Sequence, residues 1–274
     1  MTLPIKLIST DFDGTVFAEF ENPPIPHRLQ DLIAELQARG VTWVINTGRD
    51  MSSLMEALGR AKVSIQPDFL VLVEREIHGR VDGRYEGLAD WNDACHRAHE
   101  QVFALLRPHV AQLVEWVNAR FHATLYSDAY SPFCMVAGNN GDADAIQAHL
   151  EQFCRTIPRL AFVRNDVYAR FCHEAFNKGT ALGEISRRLG LRPSEVFVAG
   201  DHLNDLPMLS PQLAGFRAAP ANAIEPVKQA LRRQGGYVSA LPHGNGVADA
   251  LELCLRQDRS ERNAAISIWG RVTA

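Results

Sequence analysis

Two aspartates two residues apart, Asp11 and Asp13, stand directly before Gly14 and Thr15 near the start of the chain. Carboxylates at this spacing face one small site if the backbone turns at once, which Gly14 permits. Left unpaired they repel, and a divalent cation removes that cost. Magnesium prefers oxygen ligands and keeps several of its waters. Carboxylates of Asp11 and Asp201, with a backbone carbonyl near Asp13, suit such an ion. Two further polar clusters have similar potential: Thr47-Gly48-Arg49, and Asp201 with Asn204 and Asp205. Lys178 opens a helical segment, where the macrodipole disfavours a cation, so an anionic partner is the better explanation for it.

These residues need a frame that brings them together. Ile5 to Ser9 reads as a short buried strand ending at Asp11, and Leu29, Leu32, Ile33 and Leu36 recur at helical spacing before a stop at Gly40. Val41 to Ile45 gives a second strand, leading into Thr47. Strand, helix, strand is a βαβ unit. The pattern returns late in the chain, with a helix through Leu182, Ile185 and Leu189 stopped by Gly190, a strand over Val196 to Ala199, and another helix starting over Leu203 to Leu209. Open parallel sheets bind ligands at the carboxyl ends of their strands, where all three acidic or polar clusters fall.

The middle of the chain differs. Phe69 to Val73 is strand-like, Asp82-Gly83 signals a hairpin, and Asp90 to Val117 is helical with a break at Pro108. Ala123 to Tyr126 and Phe133 to Val136 read as strands, and Asp142 to Phe153 as a helix with Asp142 near its N-cap. The expected architecture is an α/β, Rossmann-like doubly wound parallel sheet with an inserted α+β domain. Residues 1–75 and 172–274 form the core, and residues 76–171 the insert.

The 274 residues are 46% hydrophobic and 22% charged, ordinary for a globular protein. A net charge of −4 provides no broad basic surface for nucleic acid, and no run approaches the length of a membrane span. The N-terminal segment lacks the pattern of a secretory signal. Five cysteines without a C-x-x-C pair read as reduced, mostly buried thiols of a cytoplasmic protein, monomeric or homodimeric.

Taken together, Asp11-x-Asp13-Gly14-Thr15, Thr47-Gly48-Arg49, Lys178 in Asn177-Lys178-Gly179-Thr180-Ala181-Leu182, and Gly200-Asp201-x-x-Asn204-Asp205 resemble the four ordered motifs of the haloacid dehalogenase-like phosphatases. The insert is similar to the C2-type cap, and the last two motifs to the Cof-type, sugar-phosphatase-like branch. The resemblance implies that Asp11 attacks phosphorus to form an aspartyl-phosphate, and that Asp13 protonates the leaving oxygen and later takes a proton from water. It implies that Thr47, Gly48, Lys178 and Asn204 hold phosphoryl oxygens, that Asp11, Asp13 and Asp201 hold Mg2+, and that Asp205 and Arg49 support them. Asp13 favours phosphate esters over halides. The implied function is hydrolysis of a small phosphorylated metabolite such as a sugar phosphate. A phosphomutase and a non-catalytic phosphometabolite-binding regulator are the alternatives.

Blander readings cover the remaining polar features. His96, His99 and Glu100 are expected as solvent-facing helix polarity rather than zinc ligands, because no further ligand has zinc-site spacing. Gly138 to Asp142 reads as a turn into a capped helix, and Arg120, Arg155, Arg164 and Arg170 as solvated arginines. One departure bears on substrate: many relatives carry an Asn-Gly turn soon after the strand at Phe69 to Val73, where this chain has Glu74-Arg75-Glu76-Ile77. Glu74 to Glu76 either contact the leaving group or change the hinge. The mixed stretch 259–274, with Trp269, is read as packing on the core, meeting another subunit or being disordered.

Overall fold

The computed structural model describes residues 3–256, so the stretch 259–274 lies outside the described residues. The chain runs β1 (Leu7–Thr10), α1 (His27–Ala38), β2 (Thr42–Asn46), α2 (Met51–Arg60), β3 (Phe69–Leu72), β4 (Glu76–Val81) and β5 (Arg84–Gly87). It continues through α3 (Ala89–Leu106), α4 (Val110–Asn118), β6 (Ala123–Tyr126), β7 (Cys134–Ala137), α5 (Asn140–Cys154), β8 (Leu160–Asn165) and β9 (Tyr168–His173). The last part holds α6 (Lys178–Arg188), β10 (Val196–Ala199), β11 (Phe216–Ala219), α7 (Glu225–Arg233), β12 (Tyr237–Val238) and a helix α8 from residue 243 to 256.

The main sheet has the order β12-β11-β10-β1-β2-β3-β4-β5, parallel from β12 to β3. Its central strands are buried on both faces, and the period of two along each strand divides them between two cores. Ile8, Trp43, Ile45, Leu70 and Phe197 pack against Leu29 and Ile33 of α1, Leu54 of α2, and Val247 and Leu251 of α8. Their neighbours Leu7, Val44, Val71, Val196 and Val198 pack on the opposite face against Leu182 and Ile185 of α6 and Val227 and Leu231 of α7. This is the doubly wound α/β core expected from the alternating strand and helix segments.

The hairpin falls elsewhere than expected. β4 pairs antiparallel with β3, and β5 with β4, so both strands extend the core sheet rather than the insert. Ile77 explains the attachment, because it is fully buried in the core shared with Val71 and α6. Two local expectations also change. α5 begins at Asn140 with Asn139 as its cap, the Asn139 side chain accepting from the Asp142 amide, so Asp142 lies inside the first turn. Only Leu203–Asp205 forms a short 3-10 turn where a longer helix was expected. The break at Pro108, which has no amide hydrogen to donate, is present as a 3-10 turn between α3 and α4.

A second, antiparallel sheet has the order β6-β7-β9-β8. On one face Met135, Phe171 and Leu160 pack against Phe103 and Leu106 of α3, Leu113 and Val117 of α4, and Ile146 and Leu150 of α5. On the other, Tyr126, Cys134, Arg170 and Val163 stand in register across the four strands, with Tyr168 and Asn165 one step along. Among the described residues no helix covers this second face. It lies over the carboxyl ends of the core strands, where Tyr126, Val163, Asn165, Tyr168 and Arg170 line a cavity with Asp13, Gly48 and Asp201.

His99 is not solvent-facing polarity but buried, its Nδ1–H donating to Cys95 O (2.8 Å) and its Nε2 accepting from the His173 amide (3.0 Å). His96 is exposed and paired with Glu76 at 2.8 Å. Arg164 is likewise buried rather than solvated, held by Asn140, Asp144 and the carbonyl of Asp166. All five cysteines are buried and none forms a disulfide. Among the described residues no helix is long and apolar enough to cross a membrane.

Candidate active site

β1 lies between β2 and β10, so the loops leaving these three strands emerge side by side. The Asp11 amide donates to Ala199 O of β10 (2.9 Å), carrying the parallel pairing one residue past the strand. The chain then closes on itself, with Phe12 O accepting from the amides of Val16 (3.0 Å) and Phe17 (2.9 Å). Gly14 takes φ +76°, and a Cβ there would stand 2.5 Å from Asp201 Oδ2. A larger residue would push the Asp201 carboxylate away, so Gly14 serves both the turn and the close approach. Its carbonyl accepts from Asn222 Nδ2 (2.8 Å) and lies 2.9 Å from His243 Nδ1, which fastens the turn to the C-terminal part of the chain.

Lys178 is completely buried, its Nζ donating to Asp11 Oδ1 (2.6 Å) and Asp205 Oδ1 (2.7 Å). Asn177 caps α6 by accepting from the amides of Gly179 and Thr180, so the first turn is satisfied before the lysine reaches inward. Asn46 at the end of β2 donates to Lys178 O (2.9 Å), tying that turn to the sheet. Asp205 uses its other oxygen to accept from the amides of Asp201 (2.8 Å) and His202 (2.9 Å). With three donors in place, Asp205 positions the lysine and the Asp201 loop.

Oxygens of Asp11, Asp201 and Asp205 lie within 4.8 Å of one another. Burial raises Asp11 well above the usual carboxylate range, and Asp205 and Asp201 add to this against the opposing pull of Lys178. Burial likewise pushes Asp201 up to about 6, Asp205 adding to it while the Thr15 hydroxyl, 2.7 Å from Oδ1, draws it down. For Lys178, burial works against the charge, but Asp11, Asp205 and Glu74 outweigh it and hold the ammonium protonated. Three carboxylates around one lysine leave excess negative charge in a dry site. That excess, with oxygen the only donor atom, fits a hard divalent cation.

Asp13 is placed differently. Its side chain turns to Arg49, which donates from Nε to Oδ2 (2.8 Å) and from Nη2 to Oδ1 (2.7 Å). The Asp13 carboxylate therefore stays out of the acidic cluster, leaving its backbone carbonyl as the group able to face a cation. Arg49 is held in turn by Ser53 Oγ (3.0 Å) and lies 5.6 Å from the Phe12 and 5.8 Å from the Phe17 ring centroid. Thr47 is buried, its hydroxyl accepting from the Arg49 amide (3.1 Å), and Gly48 faces the cavity beside Glu74. Asn204 donates from Nδ2 to Glu74 Oε1 (2.9 Å), while its buried Oδ1 has no partner among the described residues. Asp13, Gly48, Arg49 and Asp201 thus stand on the wall of one pocket and Asn204 on that of the smaller one beside it, while Asp11, Lys178 and Asp205 are joined by buried hydrogen bonds.

Sequence reasoning left Thr15, Asn222 and His243 without a role, and none has a spacing that would give one. It left Glu74 between contact with the leaving group and a change in the hinge. Val73 and Glu74 take φ +45° and +68°, and the Arg75 amide donates to Leu72 O (2.9 Å). That is a primed turn, in which Asn-Gly is the preferred pair. Bulkier residues held at such angles cost on the order of 1–3 kcal/mol each.

A family model of haloacid dehalogenase-like hydrolases matches residues 8–72 and 118–251. The phosphoglycolate phosphatase of Methanothrix thermoacetophila is 29% identical over 136 residues, 50% of this chain and 57% of that protein. That of Methanopyrus kandleri is 41% identical over 81 residues, 30% of this chain and 32% of that protein. The chain thus matches 57% of the length of the first of these relatives and 32% of the second. Among solved structures, the sucrose-phosphatase of Synechocystis, in complex with sucrose and phosphate, has a TM-score of 0.68 at 16% identity, covering 92% of this chain and 98% of that one. A HAD/COF-like hydrolase from Plasmodium vivax has a TM-score of 0.64 at 18% identity, covering 91% and 95%. At such identities the likeness is one of fold, and it extends through both sheets.

Proposed function

Since the chain belongs to the haloacid dehalogenase-like hydrolases, we propose that it is a magnesium-dependent phosphatase acting on a small phosphorylated metabolite, such as a sugar phosphate, with Asp11 as nucleophile. The observation that carries this reading is the buried contact of Lys178 Nζ with Asp11 at 2.6 Å and Asp205 at 2.7 Å, beside Asp201. A lysine so placed offsets the charge of an attacking carboxylate and fixes its direction.

Phosphoryl transfer passes through a transition state with charge spread over three oxygens, so alignment and cationic stabilisation carry most of the catalysis. In the first step an Asp11 oxygen bonds to phosphorus, the bond to the leaving oxygen breaks, and Asp13 gives that oxygen a proton. In the second, water attacks the aspartyl-phosphate, Asp13 takes the proton, and phosphate leaves as Asp11 is restored. Arg49 holds Asp13 at the cavity wall between these roles. Gly48, Lys178, Asn204 and the Thr47 hydroxyl are the donors available to phosphoryl oxygens. Asp11, Asp201 and the Asp13 carbonyl would hold Mg2+, which lowers the repulsion between the anionic nucleophile and substrate.

The antiparallel sheet and its helices serve in this reading as a cap that excludes water and shapes the pocket. The cavity of about 700 Å³ beneath it suits a metabolite rather than a folded phosphoprotein. The buried thiols fit a reducing compartment such as the cytoplasm.

Phosphate release from p-nitrophenyl phosphate, with and without magnesium, tests the reading against Asp11→Asn. The expected result is metal-dependent hydrolysis that the variant lacks. Equal rates for variant and wild type would overturn the assignment of the nucleophile. Phosphate release that requires a bisphosphorylated sugar activator would favour the mutase.

A further inference from the structure

We propose that Glu74 sets specificity, accepting hydrogen bonds from a neutral, hydroxyl-bearing leaving group and disfavouring one that carries a second anion. The inference rests on the phosphatase reading above only for the identity of the reacting group. It starts from the backbone. Val73 and Glu74 hold φ +45° and +68° in succession, angles that suit Asn-Gly and resist a β-branched and a long side chain. Local preference does not account for this turn, and strain of this kind gathers where a site uses it.

The turn gives the Glu74 side chain a direct line into the pocket. Oε1 accepts from Asn204 Nδ2 at 2.9 Å and lies 3.2 Å from where a Cβ on Gly48 would stand. Its second oxygen has no hydrogen-bond partner among the described residues. Glu74 borders both the main cavity and the smaller one beside it, together with Val163 and Arg170 from the cap. It therefore stands at the junction of floor and roof, beside Gly48 and Asn204 but at the edge of the acidic cluster.

Charge decides what this position accepts. Five carboxylates line the main cavity against two guanidinium groups, Arg49 and Arg170. Arg49 is engaged by Asp13 at 2.7 Å, and Arg170 Nη1 lies 3.6 Å from Asp128 Oδ2. The His202 ring is engaged as well, Nε2 accepting from the Asp166 amide at 3.2 Å. Among the described residues only Arg170, whose buried Nη1 has no hydrogen-bond partner, could meet a second anion, and the five carboxylates outnumber it, whereas the open Glu74 oxygen, Asn165, Tyr126 and Tyr168 offer partners for hydroxyls.

Glycerol 3-phosphate and 3-phosphoglycerate differ by a hydroxymethyl group against a carboxylate and so isolate the effect. Their binding is measured by calorimetry with magnesium in the Asp11→Asn protein, with and without Glu74→Gln and Glu74→Asp. Like-charge juxtaposition sets the expected scale, with glycerol 3-phosphate bound at least about tenfold more tightly and Glu74→Gln reducing the ratio to about threefold or less. Glu74→Asp, which keeps the charge, retains the preference. A ratio unchanged by Glu74→Gln, or a starting ratio near one or below it, would overturn the proposal. Hydrolysis by the protein with Asp11 intact is scored separately: absence of turnover with the binding preference present counts against the phosphatase reading and leaves the role of Glu74 standing.

Discussion

Arg49 grips the Asp13 carboxylate with two hydrogen bonds, of 2.8 Å and 2.7 Å, and in doing so keeps it out of the Asp11, Asp201 and Asp205 cluster. The fork is rigid because Ser53 and the rings of Phe12 and Phe17 hold the guanidinium from other sides. Arg49→Lys supplies charge without the fork. The expected outcome is a fall in kcat on p-nitrophenyl phosphate of about tenfold to a hundredfold, as for a misplaced catalytic group, with an unchanged melting temperature. A kcat equal to wild type would show that Asp13 needs no such hold.

Removing the buried ammonium should be costly for the fold. Lys178→Met leaves Asp11 and Asp205 without their shared partner, and breaking a buried ion pair from one side costs roughly 3–5 kcal/mol. Urea denaturation measures the loss. Magnesium should stabilise the wild type by about 2.7 kcal/mol at a hundred times its dissociation constant, and this gain should vanish in Asp201→Asn. A magnesium-induced shift that survives in Asp201→Asn would place the ion elsewhere.

The strained turn can be separated from the chemistry of its side chain. Glu74→Ala and Glu74→Gly both remove the carboxylate, but only glycine adopts φ +68° without a Cβ penalty. Glu74→Gly should therefore be more stable than Glu74→Ala by about 1 kcal/mol in chemical denaturation. Equal stabilities would mean that the turn carries no strain.

His99 gives the protein a pH dependence remote from the site. Its Nδ1 donates to a carbonyl and its Nε2 accepts from an amide, so only the neutral ring satisfies both, and burial lowers it to about 3. The unfolded chain binds a proton near the ordinary value while the folded chain resists it, so this residue's contribution is complete above about pH 6.5 and is lost as pH falls toward 3. Each unit within that window costs up to about 1.4 kcal/mol. Melting curves from pH 7 to pH 4 should fall more steeply for wild type than for His99→Gln, and parallel curves would count against it.

The core was legible because its strands are short apolar runs ending at polar clusters, and Leu29, Ile33, Leu182 and Ile185 keep helical spacing on either side. The site was legible for the same reason, since Asp11, Thr47 and Asp201 each follow a strand. The hairpin was misplaced because Val81-Asp82-Gly83-Arg84 specifies a turn but not a partner, and only burial of Ile77 beside Val71 decides which sheet receives it. His99 deceived for a related reason. A histidine three residues from His96 reads as polar, and nothing nearby in sequence announces that the His173 amide will reach it. Asp13 was placed near the metal by its spacing to Asp11, whereas its side chain was settled by Arg49, 36 residues away.

The fastening of Gly14 by Asn222 and His243 bears on when activity can first appear during synthesis. Asp11 leaves the ribosome well before Asn222, yet β1 must wait for β10 to occupy its other edge, and the turn after it for residues later still. A nascent chain stalled before Asn222 would carry both aspartates of the first motif, along with Lys178 and Asp201, without the two groups that lock their loop. The loop after β1 would therefore be fixed only once the segment through His243 has been made, rather than as an early property of the first strand.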